Sequence, residues 1–245
     1  MSTNAIMARI LRDLSTGNGN GAGLLGGDPA RCARAIGVDG IAVSLGTNGS
    51  LTELVWSTPG RSSALEDAQF TLGDGPGLDS YVHGALIAVS DLETTDPHRW
   101  PAFLPEAAQL GVRALFCFPL RLGAVSLGVL TAQRATPAPL AAAQTDDALV
   151  LAAAITAALL VGGGRRAAFA QAEPHTALHR AAVHQATGII SVQAGVSLVE
   201  AIAILRAYAY RTEAPVLRTA EDVVARRLHF RDNHDGTAAP SGNRD

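Results

Sequence analysis

The chain has 245 residues, 48% of them hydrophobic, and carries a net charge of −3 from 19 basic and 22 acidic side chains. That length suits two modest cores better than one, because domains typically hold roughly 100–150 residues. The near balance of charge excludes a wholesale nucleic-acid coat or a membrane-surface protein, so any polyanion site is local. Every basic residue is Arg, which also excludes chemistries that need a lysine: a Walker A loop, a pyridoxal Schiff base, a protein-kinase strand.

The N-terminal arm, 1–27, is expected to be flexible. Residues 5–14 could form a short amphipathic helix bearing Ile6, Ile10 and Leu14, and the stretch STGNGNGAGLLGG after it is linker-like. The start MSTNAIMARILRDL has no secretory apolar region, and the longest apolar stretch, Ala148 to Val161, is shorter than the roughly 18 residues a membrane span needs. Only Cys32 and Cys117 occur, too few for a disulfide framework. A cytoplasmic location is the expectation.

From Asp28 a mixed pattern begins. DPARCARAIG reads as a helix, and IAVSLG, with Ile41, Val43 and Leu45 alternating, pairs with LTELVWS through a TNG turn. Further strands are expected at 86–90, 113–120 and 125–132, with a helix over WPAFLPEAAQLG between the first two. Strands joined by short turns and longer helical excursions predict an α+β domain with a largely antiparallel sheet over 28–162. Its last helix, 140–162, is apolar on nearly all sides, so a sheet, a partner subunit or both must cover it.

GGGRR at 162–166 breaks the pattern, and 163–171 reads as a linker. Three helices follow with very short connections. The first covers about 178–194. The second starts at Ser197, which forms an S-x-x-E capping box with Glu200, and is expected to bury Leu198, Ile202, Leu205 and Ala209. The third follows Pro215 with Leu217, Ala220, Val224 and Leu228 as its apolar face. The tail, 231–245, has no apolar period and reads as disordered. Charge divides with the segments: 28–162 holds 7 Arg and 13 acids, net −6, whereas 163–231 holds 9 Arg and 5 acids, net +4.

Residues 172–230 resemble an ANTAR domain, the small three-helix RNA-binding module of bacterial transcription antiterminators. The resemblance is carried by Gln185, Ala186 and Gly188, then Gly195, Ser197 and Ala201, then Leu205, Arg206 and Ala209, and by the closing AEDVVARRL. Residues 28–162 resemble a GAF sensory domain through GDGPGLDSYVHG, VSDL, WPAFLPEAAQLGVRALFCFPL and LGVLTAQR. The resemblance implies a GAF-like antiparallel sheet flanked by helices, followed by a small all-α bundle. It further implies a small-molecule or partner sensor ahead of a module that binds hairpins in nascent mRNA. Where the ANTAR family usually reads Ala-Lys-Gly, this chain has Ala186-Thr187-Gly188, a neutral hydroxyl in place of a cation.

On that footing Arg180, His184, Gln185, Ala186, Thr187, Gly188, Arg206 and Arg211 are the candidate RNA-binding residues. Gly in a helix interior costs roughly 1 kcal/mol against Ala, and Gly188 would be repaid by letting a nucleic-acid backbone approach. Gln185 and Thr187 would offer neutral hydrogen bonds and the arginines charge. The competing reading is that Gly188 allows close helix packing and that the arginines are a solvated face. Tyr208, Tyr210 and Phe230 are the module's aromatics, a modest resource for base stacking.

Tyr81, Trp100 and Phe116 are the candidate ligand-pocket residues of the sensory domain. His175, His179 and His184 lack the spacing of a metal site, because the third rotates off the face that the first two share. Asp74 and Asp91 read as loop residues that could join Asp79 in an acid cluster, His83 as a haem ligand or a surface histidine, and Cys117 as a packed small hydrophobe. No Ser-His-Asp order, nucleophile elbow or paired-carboxylate motif stands out, so neither catalysis nor a cofactor is expected. A homodimer built on helix 140–162 is, because an isolated bundle of this size is marginal and two hairpins need two copies. The alternative is a sensor whose C-terminal bundle is a protein-interaction module without RNA binding.

Overall fold

The computed structural model describes Ile10 and residues 27–47, 49–160 and 174–230, with no side chains described for 174–179. The expected 5–14 helix, most of the arm, the 163–171 linker, the 231–245 tail and the side chains of His175 and His179 lie outside the described residues. The chain divides into two compact units, Met1–Thr176 and Ala177–Asp245.

The first unit is built on a five-stranded antiparallel sheet in the order β2-β1-β5-β4-β3. Its strands are β1 (Gly40–Thr47), β2 (Ser50–Ser57), β3 (Ile87–Val89), β4 (Ala114–Leu122) and β5 (Val125–Arg134). Helix α1 (Pro29–Ile36) opens on Asp28, whose carboxylate accepts the Ala30 N–H, has Pro in its first turn, and closes on Gly37 at φ 79°. These are the end signals expected of a short helix, satisfying backbone groups that the helix leaves open.

Two helices escaped the sequence reading. Helix α2 (Arg61–Leu72) and helix α3 (Pro76–His83) lie where no apolar period marks them. The buried positions of α2 are Ser62, Leu65, Glu66, Gln69 and Phe70. Three of the five are polar, so its inner face does not look hydrophobic. Helix α4 (Phe103–Gln109) is shorter than the expected WPAFLPEAAQLG, and Trp100 precedes it.

Side chains alternate across the strands, and each face of the sheet has its own core. One face packs Ile36, Ile41, Val43, Phe116, Phe118 and Leu130 with α1 and the long helix α5 (Ala142–Leu160). The other packs Tyr81, Trp100, Phe103, Leu115, Cys117 and Val129 beneath α2, α3 and α4. Helix α5 runs 19 residues within the expected 140–162, and, although its longest apolar stretch was expected to fall short of a span, the whole helix is long and apolar enough for one by length and composition. Leu151, Ile155 and Leu159 nevertheless bury into the core, as a covering helix requires. Its outer face exposes Asp146, Val150, Ala153, Ala157 and Leu160, at spacings of four and three in alternation.

The second unit holds α6 (Pro174–Ala194) from its residue Ala177 onward, α7 (Leu198–Arg211) and α8 (Val216–Val224). Gly195 at φ 66° turns the chain between the first two, and the Ser191 hydroxyl donates to the Val196 carbonyl at 2.6 Å. The capping box is present at α7: the Ser197 hydroxyl accepts the Glu200 N–H, and the Glu200 carboxylate accepts the Ser197 N–H at 2.9 Å. Leu205 and Ala209 are buried as expected, but Leu198 is 60% exposed because it opens the helix at the unit's rim. Helix α8 buries Val216, Thr219, Ala220 and Val223. Of the expected stripe of Leu217, Ala220, Val224 and Leu228, Ala220 is buried as expected, while Val216 and Val223 replace Leu217 and Val224, and the helix stops before Leu228.

Candidate functional site

Beneath α2 and α3 the sheet carries polar and small side chains where an all-apolar core would be simpler. Along β1, the residues facing α2 are Gly40, Ala42 and Ser44, and along β5 they are Val129, Thr131 and Gln133, in register with them. The Ser44 hydroxyl donates to Glu66 Oε2 at 2.6 Å, the Gln69 carboxamide donates to Glu66 Oε1 at 3.0 Å, and Gly77 N–H donates to Gln69 Oε1 at 2.6 Å. All four groups are buried. A buried carboxylate needs such donors, because its charge is strongly penalised away from water.

Beside this chain of bonds, Gln133 Oε1 has no hydrogen-bond partner and Thr131 Oγ1 has no oxygen or nitrogen partner, though both residues are nearly inaccessible. Thr131 sits opposite Cys117 in the sheet. Burial pushes the Cys117 thiol well above its ordinary pKa; the Glu66 charge adds to this and the Thr131 hydroxyl opposes it. Cys117 is therefore a protonated, packed side chain, as expected. Two buried polar atoms, Thr131 Oγ1 and Gln133 Oε1, are thus left beside a Glu66 carboxylate whose two oxygens are already engaged. The sequence reading missed Ser44, Glu66, Gln69, Thr131 and Gln133. The available signal was polar residues at three of the five inward positions of α2 and at Ser44, Thr131 and Gln133 on two strands that are buried on both faces.

The three expected pocket residues do not converge. Tyr81 and Trp100 belong to this side of the sheet, with Tyr81 laid against Gly46, where a side chain would strike its ring. Trp100 donates its indole N–H to Asp79 at 3.1 Å, and the Arg99 guanidinium lies 4.2 Å from its ring centre. Phe116 points to the opposite face, because β4 alternates, and lines a cleft of about 170 Å³ with Leu86, Ala88, Phe118 and Leu140. Nor do the aspartates cluster. Asp74 accepts the Ala102 and Phe103 N–H groups at the start of α4, while Asp91 pairs with Arg113 at 3.1 Å. His83 is exposed at the end of α3. Among the described residues no three His, Cys, Asp or Glu side chains come together as a metal site would need.

In the second unit the expected RNA-binding residues divide by helical phase. Positions 183, 186, 187 and 190 share the inner side of α6, so Ala186 and Thr187 are buried, and the Thr187 hydroxyl donates to its own Val183 carbonyl at 2.7 Å. Arg180 is only 2% exposed. These three residues are corrected: their side chains serve the interior. His184 and Gln185 are exposed on the opposite side, and Gly188 stands between them, one turn on. A Cβ built on Gly188 meets nothing within 4 Å. Among the described residues, therefore, close helix packing does not account for that glycine.

On α7, Arg206 is half-buried, and burial pulls its guanidinium down to about 10, which leaves it protonated at neutral pH. Arg211 is exposed and lies 5.2 Å from the Tyr208 ring centre. Tyr208 packs edge-on against Phe230 at 5.3 Å, and Gln193 accepts the Phe230 N–H. Two of the three aromatics are thus committed to the unit's own packing, and Tyr210 is 84% exposed.

The single sheet with helices on both faces and a polar interior under one of them defines a small sensory-type α+β domain. Residues 30–161, more than half of the chain, match the GAF domain family model, and the chain belongs to the GAF domain family. Among solved structures it is similar to the GAF domain of an Acinetobacter phosphoenolpyruvate-protein phosphotransferase, at 15% identity and a TM-score of 0.50, over 68% of this chain and 99% of that one. The corresponding domain from Coxiella burnetii aligns at 18% identity and a TM-score of 0.49, over 68% and 99%. An N-acylhomoserine lactone dependent LuxR family transcription factor from Burkholderia cenocepacia aligns at 19% identity and a TM-score of 0.49, over 67% and 97%. At these identities the likeness is one of fold. No curated protein matches the chain.

Proposed function

We propose that this chain is an RNA-binding transcription antitermination regulator, without enzymatic activity, in which the GAF domain controls an ANTAR-like output bundle. Gly188 is the observation that carries the reading. It costs helix stability in the middle of α6, no neighbouring group among the described residues occupies the space a side chain would fill, and exposed His184 and Gln185 flank it with hydrogen-bonding groups. A bare spot beside such groups suits close approach of a nucleic-acid backbone and contacts to loop bases or 2′-hydroxyls. The bundle would hold one hairpin arrangement of nascent mRNA and so prevent the terminator stem from forming.

The regulator works as a homodimer through α5. Exposed Val150, Ala153, Ala157 and Leu160 repeat at the alternating spacing of a two-helix seam, with alanines that allow close approach. The signal is a small donor-bearing molecule received among Glu66, Thr131 and Gln133. Titration of hairpin RNA with the full chain across a salt series tests the reading. Binding that weakens as salt rises supports it, because cation release accompanies phosphate contact. No salt-sensitive complex with any hairpin refutes it.

A second reading is supported by the burial of Arg180 and Thr187 together with the exposure of Val192, Leu198 and Val199. In it, the bundle is a protein-interaction module of a ligand- or partner-sensing signalling protein and touches no RNA.

A further inference from the structure

The outer ridge of α7 has a composition that the capping box and the core do not account for. Val199, Ala203, Ala207 and Tyr210 fall within one side of the helix, opposite the buried Ala201, Leu205 and Ala209, and all four are exposed. Three small or short side chains leave the Tyr210 ring standing clear at 84% exposure. Among the described residues the ring has no aromatic partner, and Tyr208 and Phe230 are packed against each other. Cations border it: Arg206 one turn before, at the ridge's edge, and Arg211 next in sequence. Glu200 at the far end of the helix is occupied with Ser197, and Glu213 lies past the Thr212 cap. A flat, solvent-facing ring on an alanine floor, with positive charge on both sides and no acid among the ridge residues, is complementary to an unpaired base and its flanking phosphates.

Resting on the RNA reading above, we infer that Tyr210 is the base-stacking residue of the bundle and that the α7 ridge receives the single-stranded loop of an RNA hairpin, with Arg206 and Arg211 on its phosphates. Helix α6 then contributes the hydrogen-bonding contacts around Gly188, and α7 contributes stacking and charge. The loop is selected over the paired stem because only unstacked bases expose a face to the ring.

The test uses the full chain and two fluorescein-labelled RNAs, a hairpin with a randomised loop and the same stem as a closed duplex. Stacking on one residue is worth enough that Tyr210→Ala should weaken hairpin binding about tenfold, Tyr210→Phe should retain it, and duplex binding should be weaker and unaffected by either change. Unchanged melting of Tyr210→Ala, expected for so exposed a residue, separates this from unfolding. Wild-type protein that binds the hairpin while Tyr210→Ala binds it equally well overturns the stacking role and leaves the RNA reading standing. Wild-type protein that binds neither RNA overturns both. Loss of a sedimenting dimer in Tyr210→Ala, with RNA binding unchanged, identifies the ridge as a contact between copies of the chain and also overturns the proposal.

Discussion

Gln69 accepts the backbone N–H of Gly77 through Oε1 at 2.6 Å, and this bond ties α2 to the first turn of α3 inside the GAF domain. The same carboxamide donates to Glu66, so one side chain satisfies a helix-end donor and a buried carboxylate together. Gly75 and Gly77 of the GDGPG loop are needed for this reason. A Cβ on Gly77 would stand 2.8 Å from Gln69 Oε1, and one on Gly75 would meet the same carboxamide while the backbone there holds φ 132°.

Gln69→Ala should lower stability by about 1–3 kcal/mol, the usual cost of leaving a buried donor and a charged acceptor unmet. Gly77→Ala should destabilise by pushing the carboxamide away, and the double variant should cost less than the two single changes added. Urea unfolding followed by circular dichroism reads all three. A Gln69→Ala chain as stable as wild type would show that the tie is dispensable.

Cys117 gives the domain a pH dependence on the alkaline side. Its folded thiol binds the proton more tightly than the unfolded one does, because burial, aided by the Glu66 charge, disfavours the thiolate. The stabilisation is full below the ordinary thiol value, about 8.5, and is lost as pH rises from there through the raised folded value. Native protein should resist iodoacetamide in that range, and Cys117→Ser should flatten the alkaline limb of a stability-against-pH curve. Rapid alkylation of Cys117 without unfolding would contradict the assignment.

The capping box at α7 sets the opposite, acid-side dependence. Hydrogen bonds from the Ser197 N–H and hydroxyl hold the Glu200 carboxyl below its usual range. Its contribution is present above the ordinary carboxylate pKa and disappears as pH falls through the lowered folded value. Ser197→Ala should reduce the melting temperature at neutral pH, and the difference from wild type should shrink in acid. A difference independent of pH would mean that the carboxylate plays no part in the cap.

Gly188→Ala should stabilise the bundle by about 0.5–1 kcal/mol, since a helical glycine is replaced and the added methyl meets open space. Under the proposed function the same change should weaken hairpin RNA binding. Thermal unfolding and RNA titration on one preparation separate the two effects. A more stable variant with undiminished RNA affinity would remove Gly188 from the interface.

Ala153→Glu on the exposed side of α5 should convert a dimer to a monomer in sedimentation velocity, because a buried pair of like charges at the seam is costly. The helix points this residue away from the sheet, so secondary structure should be unchanged. Wild-type protein that sediments as a monomer would refute the seam.

Regular alternation made the strands legible, and end signals made two helices so: Asp28, Pro29 and Gly37 around α1, and Ser197 with Glu200 at α7. These are local devices, complete within a few residues, and their physics does not wait for the rest of the chain. Helices α2 and α3 were not legible, because a helix that buries Ser62, Glu66 and Gln69 has an inner face only in the presence of Ser44 and Gly77.

The candidate sites divide along the same line. Residue types at positions 184–188 determined that a helical glycine stands among polar neighbours. The rotation of α6 decided that His184, Gln185 and Gly188 face outward while Arg180, Ala186 and Thr187 face inward. Similarly, the alternation of β4 placed Phe116 across the sheet from Tyr81 and Trp100. Local chemistry is written residue by residue, but which side of an element meets solvent depends on what the other elements cover, and only the assembled tertiary structure contains that.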